Sequence, residues 1–380
     1  MHEIRTRVGA VGHVARIVEV ATARLVRQLH TPFVTALRRT NEVVSVAVRL
    51  TDGDGRTGFG EGPQVWRVTG ESLASIEACV QGPLAEVLLG WDPDTEPVAH
   101  ASDALANAVV GNGGARSACE SAVLDLVAQE ARIPLVQLLG GTAMSVATDV
   151  TVAAQGDFGE GVDASQFRQV KVKVGLDPAD VDRVIRITRA APGVPVRIDA
   201  NQAWDLETAS ASIEALLAAG VTLEFVEQPL PAWDLAGHAE LRRRWGTPIV
   251  LDESVFTIHD LRRAIDAGSG DIVNIKLAKC GGIHAGLAIA REATEAALGL
   301  MVGSMMESEL GVSAAAALAA TISPDAVHDL DAAWWSLPGS DGGSPYQGGR
   351  FVLDPSPGST HAARRVIPES LSWSSRAHGQ

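Results

Sequence analysis

The sequence predicts an α/β protein: a (β/α)8 TIM-type barrel preceded by an α+β unit. Three observations carry that prediction. From about residue 145, short β-branched segments alternate with Ala-rich helical ones through eight cycles. Charged residues recur at the ends of those segments, one strand–helix unit apart. The 380 residues also suit a ~250-residue barrel plus a second unit of about 100.

The first unit reads from residue 43. Val44, Val46 and Val48 alternate, Asp52-Gly53-Asp54-Gly55 supplies a tight turn, and Thr57-Gly58-Phe59-Gly60 resumes, so 43–62 is expected to form a β-hairpin. Residues 70–90 and 98–110 read as helices. A further helix over Ala115–Leu139 closes at Gly140-Gly141. The barrel strands are expected at Thr148–Ala153, Gln169–Val174, Val194–Asp199, Leu223–Glu227, Ile249–Asp252, Ile272–Lys276, Leu300–Gly303 and Val327–Leu330. Helices between them, such as Leu206–Ala219 and Ala285–Leu298, imply right-handed crossovers and a parallel sheet, and eight strands close a barrel. The competing reading is an open doubly wound sheet, but no G-x-G-x-x-G follows a first strand. Gln347–Val352 is expected to return to the first unit as a strand, and the last dozen residues to fray.

Composition narrows the function classes. With 46% hydrophobic and 20% charged residues, a large core is available and disorder is excluded. A net charge of −15 with no basic cluster excludes nucleic acid as a partner, and solubility is the plain reading of the acidity. Cys79, Cys119 and Cys280 show neither disulfide nor C-x-x-C spacing, which fits a reducing cytoplasm. Met1–Ala10 lacks an apolar leader core. No run of ~18 apolar residues is free of charge, so no membrane span is expected.

The charged strand ends carry the chemistry. Strand two offers Lys171 and Lys173, strand three Asp199, strand four Glu227, strand five Asp252 and strand six Lys276. Strand eight runs into Asp329 and Asp331. From Lys173 the series advances by 26, 28, 25 and 24 residues to Lys276, and Asp329 follows 53 later. Taken singly, each reads equally as a solvated strand end or a helix cap. Taken together they converge on one mouth, at the C-terminal ends of the strands. Three carboxylates there repel unless a hard cation sits between them, and an all-oxygen set with open positions suits Mg²⁺. Lysines flanking that cation are expected to have lowered pKa values and to serve as bases. Lys173 and Lys276 lie across the barrel from each other, so a bound substrate has one lysine on each face of its reacting carbon. That permits inversion of a stereocentre, with the cation stabilising enediolate charge.

As they stand, Lys171-Val172-Lys173, Asp199-Ala200-Asn201, Val226-Glu227-Gln228-Pro229, Asp252-Glu253-Ser254 and Lys276-Leu277-Ala278-Lys279-Cys280-Gly281-Gly282 resemble the enolase superfamily and, within it, the muconate-lactonising subgroup. The resemblance covers nearly the whole chain. It implies an α+β capping domain over residues 1–125, completed by 345–380, above a barrel domain over 126–344. It implies Mg²⁺ on Asp199, Glu227 and Asp252, general bases at Lys173 and Lys276, Lys171 beside the substrate carboxylate, and a homo-oligomer. His328-Asp329-Leu330-Asp331 is similar to the dipeptide epimerases of the subgroup, in which such a pair binds the substrate ammonium. Two carboxylates on one face suit that cation. Arg38 matches a mobile-loop arginine that faces the side-chain carboxylate in Ala-Glu epimerases. Glu309 stands where those members tend to carry a basic residue, and it works against an anionic side chain. Met306, in the same Gly303–Glu309 segment, is a candidate substrate contact, and Trp66, Trp334 and Trp335 are candidate walls of a specificity pocket. The activity implied is Mg²⁺-dependent epimerisation of a dipeptide's C-terminal residue. The same site would also serve an N-acylamino-acid racemase, an o-succinylbenzoate synthase or a muconate cycloisomerase, and a non-catalytic binding barrel is a further alternative.

Overall fold

The computed structural model describes residues 14–34, 39–93, 95–152, 167–175, 177, 179–190, 193–337, 343–358 and 366–377. The first unit is built on a long antiparallel ribbon. β1 (Ile17–Val34) pairs with β2 (Arg39–Asp52), and β3 (Thr57–Pro63) follows through the expected turn. Asp52 makes that turn: its Oδ1 accepts from the amides of Asp54 and Arg56, and Gly55 takes a φ of 81°. β1 escapes sequence reading because register shifts at Ile17/Glu19 and Gln28/Phe33 break its alternation.

Helices cover one face of this ribbon. Ser72 caps α1 (Leu73–Cys79), a wide turn over Val80–Leu84 kinks at Gly82, and α2 (Ala85–Gly90) follows. Leu73–Gly90 has the length and hydropathy of a membrane span. Its Ile76, Val80, Leu84 and Leu88 are fully buried in the core instead. Next come α3 (Val98–Ala108) and α4 (Gly113–Ala131). The single helix expected to reach Leu139 is two: Arg132 adopts a left-handed φ of 56° and ends α4, and Pro134 precedes a short α5 (Leu135–Leu138). β3 lies directly on α4. A Cβ at Gly60 would stand 2.0 Å from the Ala118 carbonyl oxygen, so only glycine allows the approach.

The barrel begins with β4 (Ser145–Thr148), which runs through Asp149 into β5 (Val150–Val152). β5, β6 (Val170–Lys173), β7 (Val196–Asp199), β8 (Leu223–Glu227), β9 (Ile249–Leu251), β10 (Ile272–Lys276) and β11 (Gly299–Gly303) form a parallel sheet in chain order. β12 (Val327–His328) closes it: it pairs in parallel with β4, and an Asp329–Gly303 bridge joins it to β11. All eight expected strands are therefore present, and the core inside them is the Val/Ile-rich packing such strands supply. The outer layer includes α6 (Asp180–Ala190), α7 (Leu206–Ala218), α8 (Leu235–Trp245), α9 (Ile258–Ala267), a short α10 (Leu277–Cys280), α11 (Ile283–Glu295) and α12 (Glu309–Ile322).

The C-terminal segment departs from expectation twice. β13 (Tyr346–Gln347) and β14 (Arg350–Val352) fold through Gly348-Gly349, both at positive φ, into a hairpin on β4 of the barrel rather than on the first unit. The strand that does reach the first unit is β15 (Ser374–Ala377), in the stretch expected to fray. It pairs with β1, and Arg376 is held by the carbonyls of Gln81 and Gly82. Two buried glutamates bind the halves together. Glu61 of β3 accepts from the amides of Ser308 and Gly311 at the start of α12, and Glu120 of α4 accepts from the His284 amide at the start of α11. The Val65–Val68 loop, closed by the Val65 amide on the Glu71 carbonyl, lines a pocket together with residues of the barrel mouth.

Candidate active site

The pocket at the mouth holds about 260 Å³ and is lined on its floor by Lys171, Lys173, Lys276, Asp252, Asp329 and Asp331. Strand register puts them at one height. Lys173 is paired with Asp199, Asp199 with Glu227, and Lys276 with Gly303, which bridges to Asp329. Asp199 and Glu227 are fully buried.

Each carboxylate of the expected metal triad is engaged. Lys173 Nζ lies 2.5 Å from Asp199 Oδ2, Asn274 Nδ2 donates to Glu227 Oε1 at 2.7 Å, and Lys276 Nζ donates to Asp252 Oδ2 at 2.8 Å. The amide of Asn201, at a φ of 44°, donates to Asp199 Oδ1, and Lys279 Nζ lies 2.6 Å from Asp252 Oδ1. Glu227 Oε2 accepts no hydrogen bond among the described residues, and Lys171 Nζ lies 3.5 Å away. Among the described residues, the carboxylates gathered within 4.8 Å of one another are those of Asp149, Asp329 and Asp331 instead. The triad still fits a hard divalent cation. It is all-oxygen, buried, carried on three adjacent strands, and has in Glu227 Oε2 an acceptor without a donor.

The charges are tightly balanced. Burial pushes Glu227 up to about 7, aided by Asp199, Asp329 and Asp252 and opposed by Lys171. Burial also raises Asp252, but Lys276 and Lys279 outweigh it and hold that carboxyl well below the usual range. The same contest at Asp329 is won by Lys171 and Lys276. For Lys171 and Lys276, burial disfavours the charge, but the surrounding carboxylates raise both well above the ordinary lysine value. The lowering expected beside a bound cation belongs to the loaded site, where the cation would draw on the same carboxylates that raise Lys171 and Lys276.

Asp329 and Asp331 both face the pocket, but they are held differently. Lys171 Nζ sits 2.5 Å from Asp329 Oδ1, and Lys276 Nζ lies 3.5 Å from Oδ2. Asp331 Oδ2 accepts from the Thr151 amide and from Trp335 Nε1. Met306 also lines the pocket, as does Trp66, which is 64% exposed. Glu309 does not. It opens α12 and lines a separate cavity of about 250 Å³ with Arg27, His30 and Trp334. Trp335 is buried against Asp331, and Arg38 lies outside the described residues.

Several site residues were not singled out by sequence reasoning. Lys279 is buried and donates to the carbonyls of Asp252, Val255 and Asn274, so it orders the end of strand five. Glu253 lines the pocket, and burial, with Asp252 and Asp199 nearby, pushes it up to about 8. Both sit inside quoted motifs, so the signal was present without a role. Asp149 was the one acid inside the first expected barrel strand, Thr148–Ala153, but it stood out of the strand-end series and so read as structural. Asn274 and Thr151 had no signal, because uncharged residues inside a strand look like filling.

Fold and site together define a two-domain barrel enzyme with an acidic, lysine-flanked mouth. The chain matches the Mandelate racemase / muconate lactonizing enzyme N-terminal domain over residues 17–140 and the Enolase C-terminal domain-like model over residues 153–360, and it belongs to that family. It is 36% identical over 353 residues to the L-Ala-D/L-Glu epimerase of Bacillus subtilis, covering 90% of this chain and 96% of that one. It is 34% identical over 314 residues to the hydrophobic dipeptide epimerase of Enterococcus faecalis, covering 80% of this chain and 87% of the relative. A dipeptide epimerase from Cytophaga hutchinsonii, solved with Mg and the dipeptide D-Ala-L-Val, superposes with a TM-score of 0.85 at 28% identity, covering 95% of this chain and 99% of the other.

Proposed function

We propose that this chain is a Mg²⁺-dependent dipeptide epimerase that inverts the α-carbon of the C-terminal residue by 1,1-proton transfer. The observation that carries the reading is that Lys173 and Lys276, from strands two and six, line one pocket that Asp329 and Asp331 also line. Asp199, Glu227 and Asp252 would hold the cation. When bound, it supplies the positive charge that stabilises an enediolate. Lys171 lies next to that site and orients the substrate carboxylate. Lys173 removes or returns the α-proton on one face and Lys276 does so on the other. Asp329 and Asp331 receive the amine, and Asp331 keeps one oxygen for it because its Oδ2 is tied to Thr151 and Trp335. Val65, Trp66 and Met306 cover the mouth and limit water.

The supporting arrangement is a capping domain over 1–125, completed by the C-terminal strand Ser374–Ala377, and a barrel domain from 126 that also carries the 346–352 hairpin. The pairing of β15 with β1 favours it. The three cysteines are free and buried, which favours a reducing cytoplasm. Homo-oligomerisation rests on the family resemblance, and light scattering tests it.

The test is a pooled dipeptide library in D₂O with Mg²⁺, read by mass spectrometry. Deuterium at the C-terminal α-carbon, lost in the double variant Lys173→Ala/Lys276→Ala and on chelation, is the expected outcome. Exchange into an N-acylamino acid with none into any dipeptide contradicts the reading.

A further inference from the structure

Asp149 stands at the break between β4 and β5, and its amide donates to the His328 carbonyl at 2.9 Å. Its side chain is fully buried. Oδ2 accepts from Arg197 Nη1 at 2.9 Å, whereas Oδ1 is buried and, among the described residues, accepts no hydrogen bond. Its carboxylate lies within 4.8 Å of those of Asp329 and Asp331. Three buried acids this close repel one another and each loses hydration, so the arrangement is costly as packing alone. The cations held closest by the cluster are Lys171, against Asp329, and Arg197, against Asp149. Lys276 lies 3.5 Å from Asp329 but is held more closely by Asp252, at 2.8 Å, and is counted with that carboxylate. Arg197's other partner, Glu224, is part-exposed and solvated. Three carboxylates against two cations leave one negative charge in excess. A single ammonium brings the cluster to neutrality.

We propose that Asp149 is a positioning residue of the amine socket: its buried carboxylate, anchored by Arg197, supplies the excess charge that lets a socket already occupied by Lys171 accept a substrate ammonium. This rests on the reading that Asp329 and Asp331 receive the amine. Asp149 acts through those two and does not itself line the pocket. The charge count gives the role a signature that simple packing lacks. Asp149→Asn leaves two carboxylates and two cations, a neutral socket that disfavours a further cation. Removing Arg197 as well leaves two carboxylates and one cation, which restores the excess.

The experiment uses the full chain with Mg²⁺ and titration calorimetry. The probes are the free-amine dipeptide that exchanges most strongly in the library and its N-acetyl derivative. The readout is the ratio of the two affinities. Asp149→Asn is expected to lower the preference for the free amine about tenfold or more, and Asp149→Asn/Arg197→Gln to return it close to wild type. Should the single variant fail to fold, Arg197→Gln alone carries the test: it leaves three carboxylates against one cation, so the preference for the free amine is expected to rise above wild type, and an unchanged or lowered preference overturns the role. An unchanged ratio in folded Asp149→Asn overturns the role while leaving the epimerase reading intact. A wild type that exchanges no dipeptide, or binds both forms alike, overturns both.

Discussion

Gly303→Ala separates the two lysines by position. Gly303 ends β11 beside Lys276. A Cβ there would stand 2.7 Å from Lys276 Cε and 2.7 Å from Asn274 Oδ1, where ordinary contact begins at 3.4 Å. Something must give by about 0.7 Å, and both neighbours are buried. Asn274 also holds Glu227, so it resists moving, and Lys276 takes the larger share. A displacement of about 1 Å at a reacting group costs on the order of 10²-fold, so a loss of roughly 10- to 100-fold is expected on the Lys276 side. Lys173 lies across the mouth and is not touched. Overpacking costs roughly 1–3 kcal/mol in stability, which the fold survives. The assay is deuterium wash-in at the α-carbon in D₂O, run separately from each C-terminal epimer. Wash-in should fall strongly from the epimer that Lys276 deprotonates and much less from the other. An equal fall from both epimers, or none, refutes the reasoning.

Further outcomes follow from the same contacts. Burial, with Arg197 nearby, lowers His328 to about 4 from 6.5. The unfolded chain therefore binds the extra proton first, and stability should be full above pH ~6.5 and fall as pH drops toward ~4, by roughly 3 kcal/mol, with His328→Gln flattening that slope in urea titrations. Asp329→Ala takes from buried Lys171 its closest carboxylate, at 2.5 Å, and leaves Glu227 at 3.5 Å as its nearest ion-pair partner. It should cost about 3–5 kcal/mol in stability and weaken free-amine dipeptides more than N-acetylated ones. Chelation should abolish exchange, and Mg²⁺ at about 100 times its dissociation constant should stabilise the fold by about 2.7 kcal/mol, seen as a raised urea midpoint. Gly60→Ala should destabilise the first unit, because its Cβ meets the Ala118 carbonyl, a backbone atom that has little room to move.

The barrel was legible because parallel strands buried on both faces announce themselves as β-branched runs at a fixed interval. The charged residues that end them were legible for the same reason, since one strand–helix unit sets their spacing. β1 was not legible, because its bulges scramble the period-two signal. β15 was missed because its pairing partner lies at the other end of the chain and its own composition is polar. The break after Arg132 turns on one left-handed residue, which helix periodicity does not register. In the site, the strand-end spacing pointed to one mouth, and Lys171, Lys173, Lys276, Asp252, Asp329 and Asp331 line one pocket there. Two features escaped: Glu309 turns away to a second cavity, and Asp149 joins Asp329 and Asp331 from a strand that looked purely structural. Side-chain direction at a strand end depends on local packing, which spacing alone cannot supply.

The central claim is that Lys173 and Lys276 work on opposite faces of one α-carbon, and it is tested most directly by removing each in turn. Lys173→Ala and Lys276→Ala would be incubated in D₂O with Mg²⁺ and each C-terminal epimer of an exchanging dipeptide, and deuterium would be followed by NMR. The account predicts that neither variant interconverts the epimers, that Lys173→Ala still washes deuterium into one of them, and that Lys276→Ala does so only into the other. Wash-in lost from both epimers in one variant and retained for both in the other would mean that a single base serves both faces, and the two-lysine account would be wrong.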